Sequence, residues 1–213
     1  RPVSDGKVSP AYAVMFALLL GASGLSMLAI VANLLTAWLT FASIIGYAVI
    51  YTLYLKRATP QNIVIGGIAG AAPPLLGWVA VTGSVDAHAL LLVAIIFAWT
   101  PPHFWALCIA KKDEYAKAEI PMLPVSHGDE DTRLHMLLYT ILMVIVTVLP
   151  YLSGMSGVLY LLGVTAINVR FLMLLKRHSD TKDSKDAMGL FWYSIRYIMW
   201  LFLFLLVDHF IPL

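Results

Sequence analysis

Three short runs hold most of the residues able to do chemistry, and each sits where an apolar stretch gives way to charge. The first, Tyr51 to Arg57, carries Tyr51 and Tyr54 and closes on Lys56 and Arg57, with Tyr47 one turn earlier. In an α-helix the i, i+4, i+7 spacing puts Tyr47, Tyr51 and Tyr54 on one face. An Arg fork and a Lys point charge below aromatic walls suit an anionic leaving group. An interfacial aromatic belt followed by topology-setting charges accounts for the same residues. The second run, Trp99 to Leu107, places His103 and Trp105 after the pair Pro101 and Pro102. An imidazole inside an apolar span needs a partner or a wet cavity, here a freed backbone carbonyl or a bound ligand. The third, Lys111 to Val125, contains Lys112, Asp113, Glu114, Tyr115 and Glu119. If helix continues past Ala110, the carboxylates approach one another and suit Mg²⁺, which takes one or two carboxylates together with substrate phosphates. A solvated, self-neutralising charge run is the competing account, and it applies equally to Asp129, Glu130 and Asp131.

The elements that position these runs follow from composition. Of 213 residues, 61% are hydrophobic and 12% charged, with a mean hydropathy of +0.85. A water-soluble domain of this size has no interior large enough for so much apolar surface. Spanning a hydrocarbon layer takes roughly 20 apolar residues as a helix. Seven such stretches are predicted: Pro10 to Val31, Leu34 to Leu55, Asn62 to Thr82, Ala87 to Ala110, Leu134 to Tyr151, Val158 to Leu175 and Met188 to Val207. Their continuous apolar character excludes the alternation of a membrane barrel, so the expected fold is all-α, a polytopic transmembrane bundle.

Charge gives the orientation. Arg1, Lys7, Lys56, Arg57, Lys111, Lys112, Lys117, Arg133, Lys176, Arg177, Lys182 and Lys185 all fall on one side of the bundle. Only Arg170 and Arg196 lie inside spans, and the opposite loops around Asn33, Ser84 and Ser153 carry no Lys or Arg. That basic side is expected to be the cytoplasmic face, or the matrix face in an organelle, with the C-terminus at Leu213 opposite. A net charge of +2 spread over loops gives no nucleic-acid footprint. One cysteine, Cys108, excludes an internal disulfide and a cysteine metal cluster and reads as a packing residue. His88, His135, His178 and His209 sit near span ends, and no His pair has zinc-ligand spacing. Gly66, Gly67 and Gly70 form a small face for close helix approach.

The runs YTLYLKRATPQNIVIGGIAGAAPPLLGWVAVTG, WTPPHFWALCIAKKDEYAKAEIPMLPVSHG and FWYSIRY…LLVDH together resemble the protoheme IX farnesyltransferase (heme O synthase) branch of the UbiA-type intramembrane prenyltransferases. The resemblance covers essentially the whole chain, taken as a single domain over 1–213. It implies transfer of the farnesyl group of farnesyl diphosphate to a vinyl group of heme B, with water addition, giving heme O and diphosphate. It also implies Mg²⁺, heme B as substrate rather than cofactor, and residence in the bilayer of a bacterial inner membrane. A hand-off of product to a heme A synthase or a heme–copper oxidase is expected by family analogy alone.

By position, Lys56 and Arg57 match the family's diphosphate-binding element, and Asp113 and Tyr115 match its second polar motif. Asp113 and Glu119 are the implied metal ligands and Lys112 a candidate substrate contact; His103 lies in the family's Pro-His-Phe segment, and a porphyrin-facing role is the expectation we attach to it. Tyr51, Tyr54 and Trp105 offer aromatic faces to an allylic cation. The motif is imperfect: Lys112 stands three residues before Tyr115, and Glu119 four after it, where relatives carry Asp. The family is expected to have nine spans and a first Asn/Asp-rich motif ahead of a stretch like Arg1 to Pro10. The expectation is therefore a domain incomplete at its N-terminus, with the activity of the chain as given in question. The competing expectations are a UbiA-type enzyme acting on a quinone or chlorophyll precursor, and a transporter using Asn168, Arg170 and Arg196.

Overall fold

The computed structural model describes residues 5–211, apart from the side chain of Arg57. Arg1 and Leu213, used above for charge and orientation, lie outside the described residues. Among the described residues, eleven helices follow one another: α1 (Pro10–Val31), α2 (Leu34–Ile44, continuing as a π-helix over Ile45–Leu55), α3 (Lys56–Ala58), α4 (Asn62–Gly70), α5 (Pro73–Thr82), α6 (Ala87–Ala110), α7 (Lys112–Lys117), α8 (Leu123–Ser126), α9 (Gly128–Leu152), α10 (Val158–Thr181) and α11 (Ser184–Phe210). They make seven segments long and apolar enough to cross a membrane. The protein is an integral membrane protein.

The first four segments begin and end where the hydropathy predicts, and the last three run beyond it. Hydropathy marks only the part of a helix in hydrocarbon, whereas α9 begins at Gly128 with Asp129, Glu130 and Asp131 in its first turn, where carboxylates favour the helix dipole. The extra turns are tied together in water by Lys182 to Glu130 at 2.9 Å and Arg177 to Asp186 at 3.0 Å. Side-chain caps set other boundaries. Asn33 accepts from Thr36 N at 2.8 Å and donates to Val79 O at 2.8 Å, starting α2 and fastening it to α5. Asp86 and Asp183 cap α6 and α11 in the same way.

The packing is uneven. α6 packs against α4, α9 and α11. Ile95, Trp105, Met143, Tyr160, Phe171 and Tyr197 fill the interior of this half. α1 buries none of its residues and presents an apolar surface throughout. Because lipid is as apolar as leucine, shape and hydrogen bonds hold such helices together. Asn168 donates to Thr147 Oγ1 at 3.0 Å and accepts from the Tyr197 hydroxyl at 2.6 Å, joining α9, α10 and α11. At the other end, the Asp208 carboxylate of α11 accepts from Ser156 Oγ at 2.6 Å and from the amides of Gly157 and Tyr160, capping α10.

Candidate active site

The site is built around α6. Pro101 and Pro102 sit inside it and remove two backbone donors, yet the helix continues through them to Ala110. Thr100 Oγ1 turns back to Ile96 O at 2.7 Å. Trp99 and His103, one turn apart, stack with ring centres 4.3 Å apart and planes 16° from parallel. Phe191 of α11 covers the other imidazole face at 4.7 Å and 22°. Ser194, also on α11, fixes this sandwich from two sides. Its carbonyl accepts from Trp99 Nε1 at 2.9 Å, and its hydroxyl lies 2.6 Å from His103 Nδ1.

α4 presents glycines toward this aromatic group. A Cβ on Gly67 would stand 3.4 Å from Thr100 Cγ2, and one on Gly66 only 2.3 Å from the Tyr51 ring. The small face therefore admits a side chain from each neighbour rather than a second helix backbone. Gly66, Gly67, Gly70, Tyr51, Trp99 and His103 line a cavity of about 310 Å³. A second, almost wholly apolar cavity of about 390 Å³ is walled by Leu39, Ile50, Ile68, Leu76 and Val93. Tyr51 and Gly66 line both, so the two cavities meet there.

The tyrosines depart from their expected common face. Tyr47 and Tyr51 stack at 5.2 Å, but Tyr54 is 70% exposed and lines neither cavity. The cause is the π-helical winding of Ile45–Leu55, visible also in Thr52 Oγ1 donating to Tyr47 O. Bonds from i to i+5 put more residues in each turn, so a residue seven further on does not return to its starting face. Trp105 likewise lines neither cavity. It is fully buried against His135 and Tyr139 of α9, at 5.8 and 5.5 Å. In a helix it points about 200° away from His103, while Trp99 shares the His103 face. Trp99, Phe191 and Ser194 are the site residues the sequence reading missed. The four-residue spacing of Trp99 and His103 was a usable signal, whereas the pairing with Ser194 spans 91 positions and had none.

The charged residues are more dispersed. Lys56 is half-buried, and its carbonyl accepts from Asn62 Nδ2 at 3.2 Å. Arg57 follows it on α3, with its side chain outside the described residues. Lys112 gives its charge to Asp129 at 2.8 Å instead of to open space. Asp113 is exposed on α7, which ends at Lys117, and Glu119 lies beyond it in the left-handed region at φ 52°. The helix expected to align these carboxylates stops between them. Among the described residues, no group of three or more His, Cys, Asp or Glu is placed to hold a metal ion. Asp113 and Glu119 do not by themselves fit a Mg²⁺ cage. Tyr115 faces inward, packing with Ile63, Cys108 and Met122. Burial, with Cys108, Tyr51 and Glu114 nearby, pushes its phenol above the ordinary tyrosine value, so it stays neutral.

Asn168, the deepest candidate for a transport site, is fully used between Thr147 and Tyr197. Arg170 lies over the Tyr193 ring at 5.7 Å and Arg196 turns back to Trp192 O, both on exposed faces. None of the three lines the two cavities described above.

A model of the UbiA prenyltransferase family matches residues 1–195. The chain belongs to that family. Among curated relatives, the protoheme IX farnesyltransferase of Marinobacter nauticus is 60% identical over 211 residues, covering 99% of this chain and 70% of the relative. That of Teredinibacter turnerae is 58% identical, over 99% of this chain and 68% of its own length. That of Hahella chejuensis is 58% identical, over 100% and 71%. A solved structure from work on digeranylgeranylglyceryl phosphate synthase in membranes superposes with a TM-score of 0.80, over 98% of this chain and 73% of that one. At 18% identity it shows the fold alone. The all-α membrane bundle read from hydropathy is thus the fold of this UbiA-family member.

Proposed function

We propose that this UbiA-family protein transfers the farnesyl group of farnesyl diphosphate to a vinyl carbon of heme B, giving heme O and diphosphate. The carrying observation is identity of 58–60% to protoheme IX farnesyltransferases along the whole chain. The cavities support the reading. The apolar one suits an isoprenoid chain, and the one with Trp99 and His103 suits an aromatic macrocycle.

The reaction breaks the C–O bond between farnesyl C1 and the diphosphate, which leaves with both electrons. The vinyl π pair forms the new C–C bond to C1. Water then adds to the cation left beside the pyrrole and gives up a proton, leaving the hydroxyl of heme O. Tyr51, at the meeting of the two cavities, offers its ring face to the allylic cation without forming a bond to it. Lys56 and Arg57 bind the departing diphosphate, Arg by its fork and Lys as a point charge. Asp113 and Tyr115 are assigned to that end by their match to the family's second polar motif, with Tyr115 a neutral hydrogen-bond donor. Trp99 and His103 seat the porphyrin, with Phe191 holding the imidazole from behind. Bound Mg²⁺ would neutralise diphosphate charge, and Asp113 is the carboxylate that would help to hold it.

The basic loops carrying these groups face the cytoplasm from a bacterial inner membrane, and the product passes to a heme A synthase or a heme–copper oxidase. Membranes carrying the full-length protein, incubated with heme B, farnesyl diphosphate and Mg²⁺, should yield heme O on chromatography. Prenylation of a quinone precursor with no heme O would overturn the proposal.

A further inference from the structure

The hydrogen bonds around His103 determine which of its nitrogens is free. Ser194 has one hydroxyl proton and gives it to Phe191 O at 2.6 Å. It therefore has none for His103, and the 2.6 Å contact between Ser194 Oγ and His103 Nδ1 is made by the imidazole proton. The proton is on Nδ1, and Nε2 carries a bare lone pair. Nε2 has no hydrogen-bond partner among the described residues and is not one of the enclosed polar atoms, while its residue lines the cavity beneath the glycines of α4. Trp99 and Phe191 clamp both ring faces, so the lone pair has a fixed direction.

An imidazole that donates through one nitrogen and leaves the other bare is the form that binds a metal. We infer that His103 is the axial ligand of the heme iron, through Nε2; this rests on heme being the acceptor. The alternative use of the lone pair is to take a proton from the water that adds to the product cation. That would create an imidazolium among Trp99, Phe191, Phe104 and Ser194, with no carboxylate among the described residues in contact to balance it. Ligation needs the neutral ring that Ser194 already holds. A bond from Nε2 to iron fixes the distance and tilt of the macrocycle and leaves it one rotation, about the iron–nitrogen axis. The walls at Gly66, Gly67 and Tyr51 then decide which vinyl group meets the isoprenoid.

The test uses the full-length protein in detergent, titrated with ferric heme B and, separately, with iron-free protoporphyrin IX. The wild type should bind the iron porphyrin more tightly and show the absorption and electron-spin signature of nitrogen ligation. His103→Ala should bind both porphyrins alike and lose that signature, and added imidazole should restore it. Ser194→Ala keeps His103 but frees its tautomer, and should weaken the iron-dependent part of binding about 10- to 100-fold. Ser194→Ala carries the test alone if His103→Ala does not fold. An unchanged heme spectrum in His103→Ala overturns the inference but leaves the function standing. So does equal wild-type affinity for the two porphyrins. Failure of the wild type to bind either porphyrin or to make heme O overturns both.

Discussion

Replacing Gly66 by alanine should misplace Tyr51 without weakening the helix that carries the change. The new Cβ would lie 2.3 Å from Cδ2 and 2.5 Å from Cε2 of the Tyr51 ring. Carbon atoms rest at about 3.5 Å or more, so the ring has to withdraw by about 1 Å. A displacement of that size at a reacting centre costs on the order of 100-fold in rate, or about 2.7 kcal/mol of barrier. Gly70 provides the control, since it lines the same cavity one turn away and a Cβ there meets nothing within 4 Å. Both substitutions favour helix by roughly 1 kcal/mol, so a loss confined to Gly66→Ala is not a loss of α4. The assay is the initial rate of heme O formation at saturating heme and farnesyl diphosphate, with equal amounts of protein in the membranes. Gly66→Ala within threefold of wild type, or Gly70→Ala equally impaired, would refute the placement of Tyr51.

Other substitutions separate site from scaffold. Tyr51→Ala should lower turnover about tenfold or more through loss of its ring face, whereas Tyr54→Ala, on the outer surface, should leave the same rate assay near wild type. Tyr197→Phe leaves Asn168 Oδ1 without its donor and should lower stability by about 0.6 to 2 kcal/mol in detergent unfolding, with heme O formation unchanged. Asp208→Ala strips the cap from α10 and should cost about 1–2 kcal/mol in the same unfolding measurement.

The spans were legible because a long apolar run has few alternatives in lipid, and the four segments bounded by polar turns ended where the sequence reading ended them. The charged ends of α9, α10 and α11 were not, since hydropathy is silent about helix that continues into water. Tyr54 was misplaced because the reading assumed α winding, and nothing local in Ile45–Leu55 announces bonds from i to i+5. Trp105 was a different kind of error. The sequence already put Trp99, not Trp105, on the His103 face, and counting residues around the helix would have chosen correctly. The metal ligands Asp113 and Glu119 depended on a helix that ends at Lys117. Ser194 and Phe191 approach His103 only through the packing of α11 on α6, which no spacing encodes.

In the proposed reaction the isoprenoid and the porphyrin occupy two cavities that meet at Tyr51. A farnesyl diphosphate analogue with a photoreactive group along its chain, bound to the full-length protein and mapped by peptide mass spectrometry, tests it most directly. Labels are expected on the walls of the apolar cavity, at Leu39, Ile50, Ile68 and Leu76, displaced by unlabelled farnesyl diphosphate. Labels concentrated on Trp99 and Phe104 beside His103, with the apolar wall unmarked, would contradict it.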